Sequence, residues 1–145
     1  MGELRIERRF PVRPDTVFKF VTETENLVKW WGPVGFALGK HDLDLSRTGD
    51  WFFYLFDPAG GEHFVSGVVL SVDPPRSVEF TLIVHEPNAE PSIDSVVRFQ
   101  VNPDGDGGSV FILTQTGLSR EEIIKGSTQG WISTLGRLEK LLNEI

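Results

Sequence analysis

From residue 36 to residue 116 the apolar residues recur at every second position, and from residue 119 to the end they recur at every third and fourth. The first spacing belongs to strands with one face buried, and the second to a helix with one buried stripe. Gly, Pro, Asp and Asn clusters interrupt the alternating part at intervals suited to an antiparallel meander: "RTGD", "DPAGG", "DPPR" and "NPDGDGG". A chain patterned in this way buries its apolar surface best by packing one long helix on one face of a sheet.

The individual strands follow from the alternation. Leu4, Ile6 and Phe10 form the inner row of an N-terminal strand, with Arg8 as its polar exception. Pro11 and Pro14 end that strand, and Val17, Phe18 and Val21 fit one face of a short helix starting at Pro14 or Asp15. A second short helix is expected over residues 24–31, capped by Thr24 and stopped by Gly32-Pro33. Leu43 and Leu45 extend the next strand, with His41 two residues earlier on the same row. "WFFYLF" carries Trp51, Phe53 and Leu55 on one face and Phe52, Tyr54 and Phe56 on the other. Strands follow over about residues 63–72 and 78–84, then "EPNAEP" reads as a loop. Ser95, Val97, Phe99 and Val101 make one row, and residues 110–116 the last strand.

In the C-terminal helix, Ser119 and Glu122 have the spacing of a capping box. Ile124, Ser127, Trp131, Leu135, Leu138, Leu142 and Ile145 form its stripe, while Arg137, Glu139 and Lys140 fall on the outer side. Gly126, Gly130 and Gly136 are unusual there, since each costs about 1 kcal/mol of helix propensity relative to Ala. They permit close approach or a bend, or they leave room for a ligand.

The 145 residues are enough for one domain, expected over residues 1–145. The net charge of -7 argues against a general nucleic-acid binder and against an anionic membrane surface. The absence of cysteine removes disulfides, thiolate catalysis and cysteine-based metal sites. No apolar run is long enough for a membrane span or a secretory signal, and the expected location is cytoplasmic. His41, His63 and His85 are too scattered for a zinc site, and "NPDGDGG" lacks the spacing and terminal Glu of a calcium loop. No metal or cofactor is expected, and no catalytic set is legible.

"FPVRPDTVFKFVTE", "LVKWWGP", "DLDLSRTGDWFF", "GVVLSVDPPRSVEFT", "GGSVFILTQTGL" and "GWISTLGRLEKLL" together resemble the START-related helix-grip superfamily (SRPBCC). Within it, the chain is similar to bacterial proteins related to the C-terminal part of the activator of the heat-shock chaperone ATPase. The resemblance implies an α+β fold: a curved antiparallel sheet of about seven strands wrapped round a long C-terminal helix, with two short helices after the first strand. It also implies a cavity between sheet and helix. Inner-row residues that would line such a cavity for a hydrophobic or aromatic small molecule are Trp30, Trp31, Phe36, His41, Trp51, Phe53, Phe80, Leu82, Phe99, Ser127, Trp131 and Leu135. The same residues also suit a filled core. Adjacent helical positions differ by about 100°, so Trp30 and Trp31 do not share one direction. Arg98 and Gln115 fall on the outer alternation and read as solvated.

Two other uses of the scaffold remain open. Superfamily cyclases place acids and bases around a bound substrate, and the activator it resembles binds a chaperone. Trp30, Trp31 and the outer face of Phe52, Tyr54 and Phe56 would then form a contact surface for a partner, and that outer face could pair with a second copy of the chain, giving a homodimer.

Overall fold

The computed structural model describes residues 2–85 and 93–145. The chain runs β1 (Gly2–Phe10), α1 (Pro14–Thr22), α2 (Thr24–Leu27), β2 (Ala37–Asp42), β3 (Gly49–Phe56), β4 (Glu62–Asp73), β5 (Ser77–His85), β6 (Ile93–Pro103), β7 (Ser109–Leu118) and α3 (Glu121–Asn143). The strands form one antiparallel, curved sheet in the order β1-β7-β6-β5-β4-β3-β2. The first strand pairs with the last, so the two short helices are inserted between the opposite edges β1 and β2. This is the helix-grip arrangement. The expected "EPNAEP" loop lies outside the described residues.

Local chemistry accounts for the helix starts. Pro14 occupies the first turn of α1, where its missing N–H is not needed, and Asp15 favours the positive helix end. Val17, Phe18 and Val21 then face the core. Thr24 is the first residue of α2 rather than its cap, and its hydroxyl donates to the Leu43 carbonyl. The helix α2 ends at Leu27, short of the expected Trp31, and the tryptophans follow in a turn closed by the Trp31 N–H donating to the Leu27 carbonyl at 3.0 Å. The capping box is also absent: Arg120 precedes α3, and no side chain caps that end.

Leu43 and Leu45 are fully buried, but β2 ends before them. The Leu45 N–H donates to the Thr22 carbonyl at 2.9 Å, so this segment is held by α1 rather than by a strand. At the C-terminus Trp131, Leu135, Leu138 and Leu142 are buried, whereas Ile145 lies past the helix and is exposed.

Register decides the inner face where the pattern does not. Both rows of β7 are apolar: Phe111 and Leu113 on one, Val110 and Ile112 on the other. Pairing sets Phe99 opposite Leu113 and Val97 opposite Gln115. Gln115 therefore belongs to the buried row, contrary to the outer position expected from alternation, while Arg98 is exposed as expected.

Gly67 is required by close approach. A Cβ there would stand 1.9 Å from the Thr81 carbonyl oxygen and 2.7 Å from Trp51 Nε1. The first of these is backbone in a paired strand and cannot give way. Gly67→Ala is expected to destabilise the fold by roughly 2–3 kcal/mol, the usual scale of overpacking. Urea unfolding checks this, and an unchanged midpoint would mean that β4 and β5 can separate freely here.

Candidate ligand cavity

The paired tryptophans of "LVKWWGP" have different surroundings. The Trp30 indole N–H donates to the Phe20 carbonyl at 2.9 Å, and the side chain is wholly buried. It plugs the gap between α1 and the turn. Trp31 packs against Trp30, ring centroids 5.5 Å apart, and reaches on to other partners, its ring 5.5 Å from Phe53, 6.0 Å from Trp131 and 6.3 Å from Trp51, each of these three edge-on. These are favoured edge-to-face geometries.

Beside Trp31 lies a cavity of about 160 Å³ between the sheet and the first half of α3. The turn after α2 supplies Trp31, Gly32 and Pro33. The sheet supplies Phe53, Leu55, Val65, Leu82, Val84, Ile93 and Gln115. The helix supplies Ser127, Gly130, Trp131 and Thr134. Thus Trp31, Phe53, Leu82, Ser127 and Trp131, among the residues expected from the sequence, come together on its wall.

The others go elsewhere. Trp51, Phe80, Phe99 and Leu135 are buried in filled core beside or behind the wall. Trp51 stacks on Phe53 with ring centroids 5.5 Å apart, and Phe80 and Phe99 meet edge-on at 5.2 Å. Trp30 is the plug just described. His41 lies on the edge strand, where its Nδ1 accepts the Leu43 N–H at 3.2 Å. Phe36 lies by a surface groove with Val34, Ile132 and Arg137, its ring 6.2 Å from that of His63.

The polar groups on the wall are largely engaged with one another. The Trp131 indole N–H donates to Gln115 Oε1 at 2.9 Å, Gln115 Nε2 donates to Ser95 Oγ at 2.9 Å, and the Ser95 hydroxyl donates to the Leu82 carbonyl at 3.0 Å. An indole can only donate, which fixes the Gln115 amide with its oxygen toward Trp131. The Thr134 hydroxyl donates back to the Gly130 carbonyl. Ser127 is the remaining hydroxyl on the wall, and it has no hydrogen-bond partner among the described residues. Among the described residues, no ionisable side chain lines the cavity.

Two residues of α3 fasten the turn that carries Trp31. Arg137 is half-buried rather than outward-facing, and its guanidinium donates to the carbonyls of Trp31 at 3.1 Å, Gly32 at 2.9 Å and Lys29 at 3.4 Å. Ser133 Oγ accepts the Val34 N–H at 2.9 Å. Gly32 takes a positive φ of 98°, which lets the chain reverse beside Leu55.

Charged groups cluster away from the wall. Burial acts to raise the Asp44 carboxyl, but hydrogen bonds from Ser46 and Arg47 outweigh it and hold the carboxyl below its ordinary value of 3.8. Asp57 is also held below that value, first by the hydrogen bond from His63 Nε2 at 2.8 Å and then by the Gly61 N–H. His85 Nε2 and the Ser66 hydroxyl share a hydrogen bond of 2.8 Å. On the outer face Phe52 and Tyr54 are half-buried, because Phe64 packs on both and His85 stacks on Phe64.

Residues 11–143 match the family described as Activator of Hsp90 ATPase homolog 1-like protein, and the chain belongs to that family. The AHSA1 protein of Silicibacter pomeroyi is 36% identical, with a TM-score of 0.91 and 98% of each chain covered. A Chromobacterium violaceum protein shares the fold at 22% identity and a TM-score of 0.83, covering 97% of this chain and 96% of its own. A Nitrosomonas europaea protein does so at 24% identity and 0.79, covering 98% and 94%. No curated protein matches the chain significantly. Among the described residues, no helix is long and apolar enough to cross a membrane.

Arg137→Ala is expected to cost about 1–3 kcal/mol, since charge-assisted bonds to three carbonyls are lost from a half-buried site. Near-UV circular dichroism of the tryptophans should fall with it. An unchanged spectrum and stability would mean that the turn holds its place without α3. For Asp57 the folded carboxyl titrates below the unfolded one. Its contribution is therefore complete above pH 3.8 and is lost as the pH falls through the lower folded value. Asp57→Asn should lower the melting temperature at pH 7 and flatten its acid limb below pH 4. A parallel pair of pH profiles would refute the pairing.

Proposed function

We propose that this chain binds a small, neutral hydrophobic or aromatic molecule in the cavity between the sheet and α3. The observation that carries the reading is the wall itself. It is apolar over Phe53, Leu55, Val65, Leu82 and Trp131, and its buried Gln115 is held by Trp131 and Ser95. An apolar pocket with few polar groups suits a ligand that loses little hydration on entry. Charged ligands are disfavoured, because none of the described residues on the wall is a cation or anion that would pair with them. Acid–base catalysis lacks support for the same reason: a general acid or base must reach the bound molecule, and none stands on the wall among the described residues. A cavity of this volume is close to the roughly 150 Å³ that accepts benzene in another protein interior.

Thermal unfolding with toluene, ethylbenzene and benzoate tests the reading, together with native mass spectrometry of the freshly purified protein. Toluene and ethylbenzene should raise the melting temperature, by the equivalent of about 1.4 kcal/mol at ten times the dissociation constant. Benzoate should not. Leu82→Trp, which fills the cavity from the sheet side, should abolish the response. If neutral ring compounds at millimolar concentration leave the unfolding curve unchanged, the cavity is not a binding site for this class.

A further inference from the structure

A glycine inside a helix normally answers to a positive φ, a close backbone neighbour or a bend. Gly130 answers to none of the first two: its φ is not in the left-handed region, and a Cβ added there would meet nothing within 4 Å. It lies in the interior of α3, where Gly costs helix propensity relative to Ala, and it is also on the cavity wall, one position before Trp131. Gly126, one turn earlier, has the same open surroundings but is exposed and does not line the cavity. The two positions are therefore matched in backbone and differ in what an added side chain would occupy.

We propose that Gly130 is the residue that sets the size of the ligand, keeping room on the helix side of the cavity for one flat ring. This rests on the binding reading above and deepens it. The large rings on the cavity wall are held by partners of their own and cannot retract. Phe53 is stacked on Trp51, and Trp131 is tied to Gln115. The helix side is thus where volume can be added without displacing packed atoms. A methyl at residue 130 enters the ligand's space, and a longer side chain replaces the ligand. The class of ligand is a neutral monocyclic aromatic or an aliphatic molecule of similar volume.

The test compares Gly130→Ala, Gly130→Met and Gly126→Ala, using toluene as the probe. Melting temperature is recorded beside the dissociation constant, read from ¹⁵N shifts of the Trp131 indole and the Gln115 amide. Both alanine variants should gain stability, by about 2–4 °C, because Ala replaces Gly in an unobstructed helix. Gly130→Ala should weaken toluene binding at least fivefold, Gly130→Met should abolish it, and Gly126→Ala should leave it unchanged. Opposite effects on stability and binding at one residue are not produced by a glycine that serves the fold alone. Wild-type affinity in Gly130→Ala, or a loss of stability in that variant, overturns the proposal while leaving the binding reading intact. Absence of toluene binding to the wild-type chain overturns both.

Discussion

The hydrogen bond from the Trp131 indole to the Gln115 amide oxygen determines where the first half of α3 stands above the sheet. It is a buried bond between a donor that can do nothing but donate and an acceptor whose other end is held by Ser95. Breaking it leaves polar atoms unsatisfied in an apolar interior, a penalty of about 1–3 kcal/mol. The second half of the helix needs no such tether, because Leu135, Leu138 and Leu142 are fully packed. The first half is only partly buried around Ser127 and Thr128. The cavity occupies the space that results: a helix seated hydrophobically at one end and propped on a polar strut nearer the other.

That strut also explains how aromatic residues can surround a cavity without collapsing into it. Each large ring on or near the wall is fixed from behind. Phe53 lies on Trp51, Trp51 meets Phe80 edge-on, and Phe80 meets Phe99, which in turn meets Trp131. Trp31 is fixed through its backbone, since Arg137 and Ser133 bind the turn that carries it. Interiors pack densely, and a void persists only where its lining cannot relax inward. Here relaxation would have to break hydrogen bonds or unstack rings that already have partners.

The order of strands and helices was legible because period two and period three-to-four stay cleanly separated along this chain. The site was half legible. Trp31, Phe53, Leu82, Ser127 and Trp131 could be found because each is a bulky or polar residue on an inner row. Gln115 was hidden because both rows of β7 are apolar, so alternation alone does not choose a face; only the pairing of Val97 with Gln115 does. Arg137 was hidden for a related reason. Helical spacing puts it off the apolar stripe, but a long side chain can reach back to carbonyls that sequence does not reveal. Trp30 and Trp31 could be seen to diverge, but which one was the plug depended on the Phe20 carbonyl ten residues earlier.

The distribution of polar chemistry separates binding from catalysis on this scaffold. His63 pairs with Asp57, His85 with Ser66, and His41 turns to the backbone of Leu43. All three are engaged outside the cavity wall. Moving one of them inward would bury an ionisable ring among Phe53, Leu82 and Trp131, where no counter-charge stands among the described wall residues to hold its proton. The alternative present here is a neutral amide locked in one orientation, which adds rigidity without charge. Under the proposed binding reading, a wall built on that principle discriminates by shape and volume, and the helix side at Gly130 is a position where volume is free to vary.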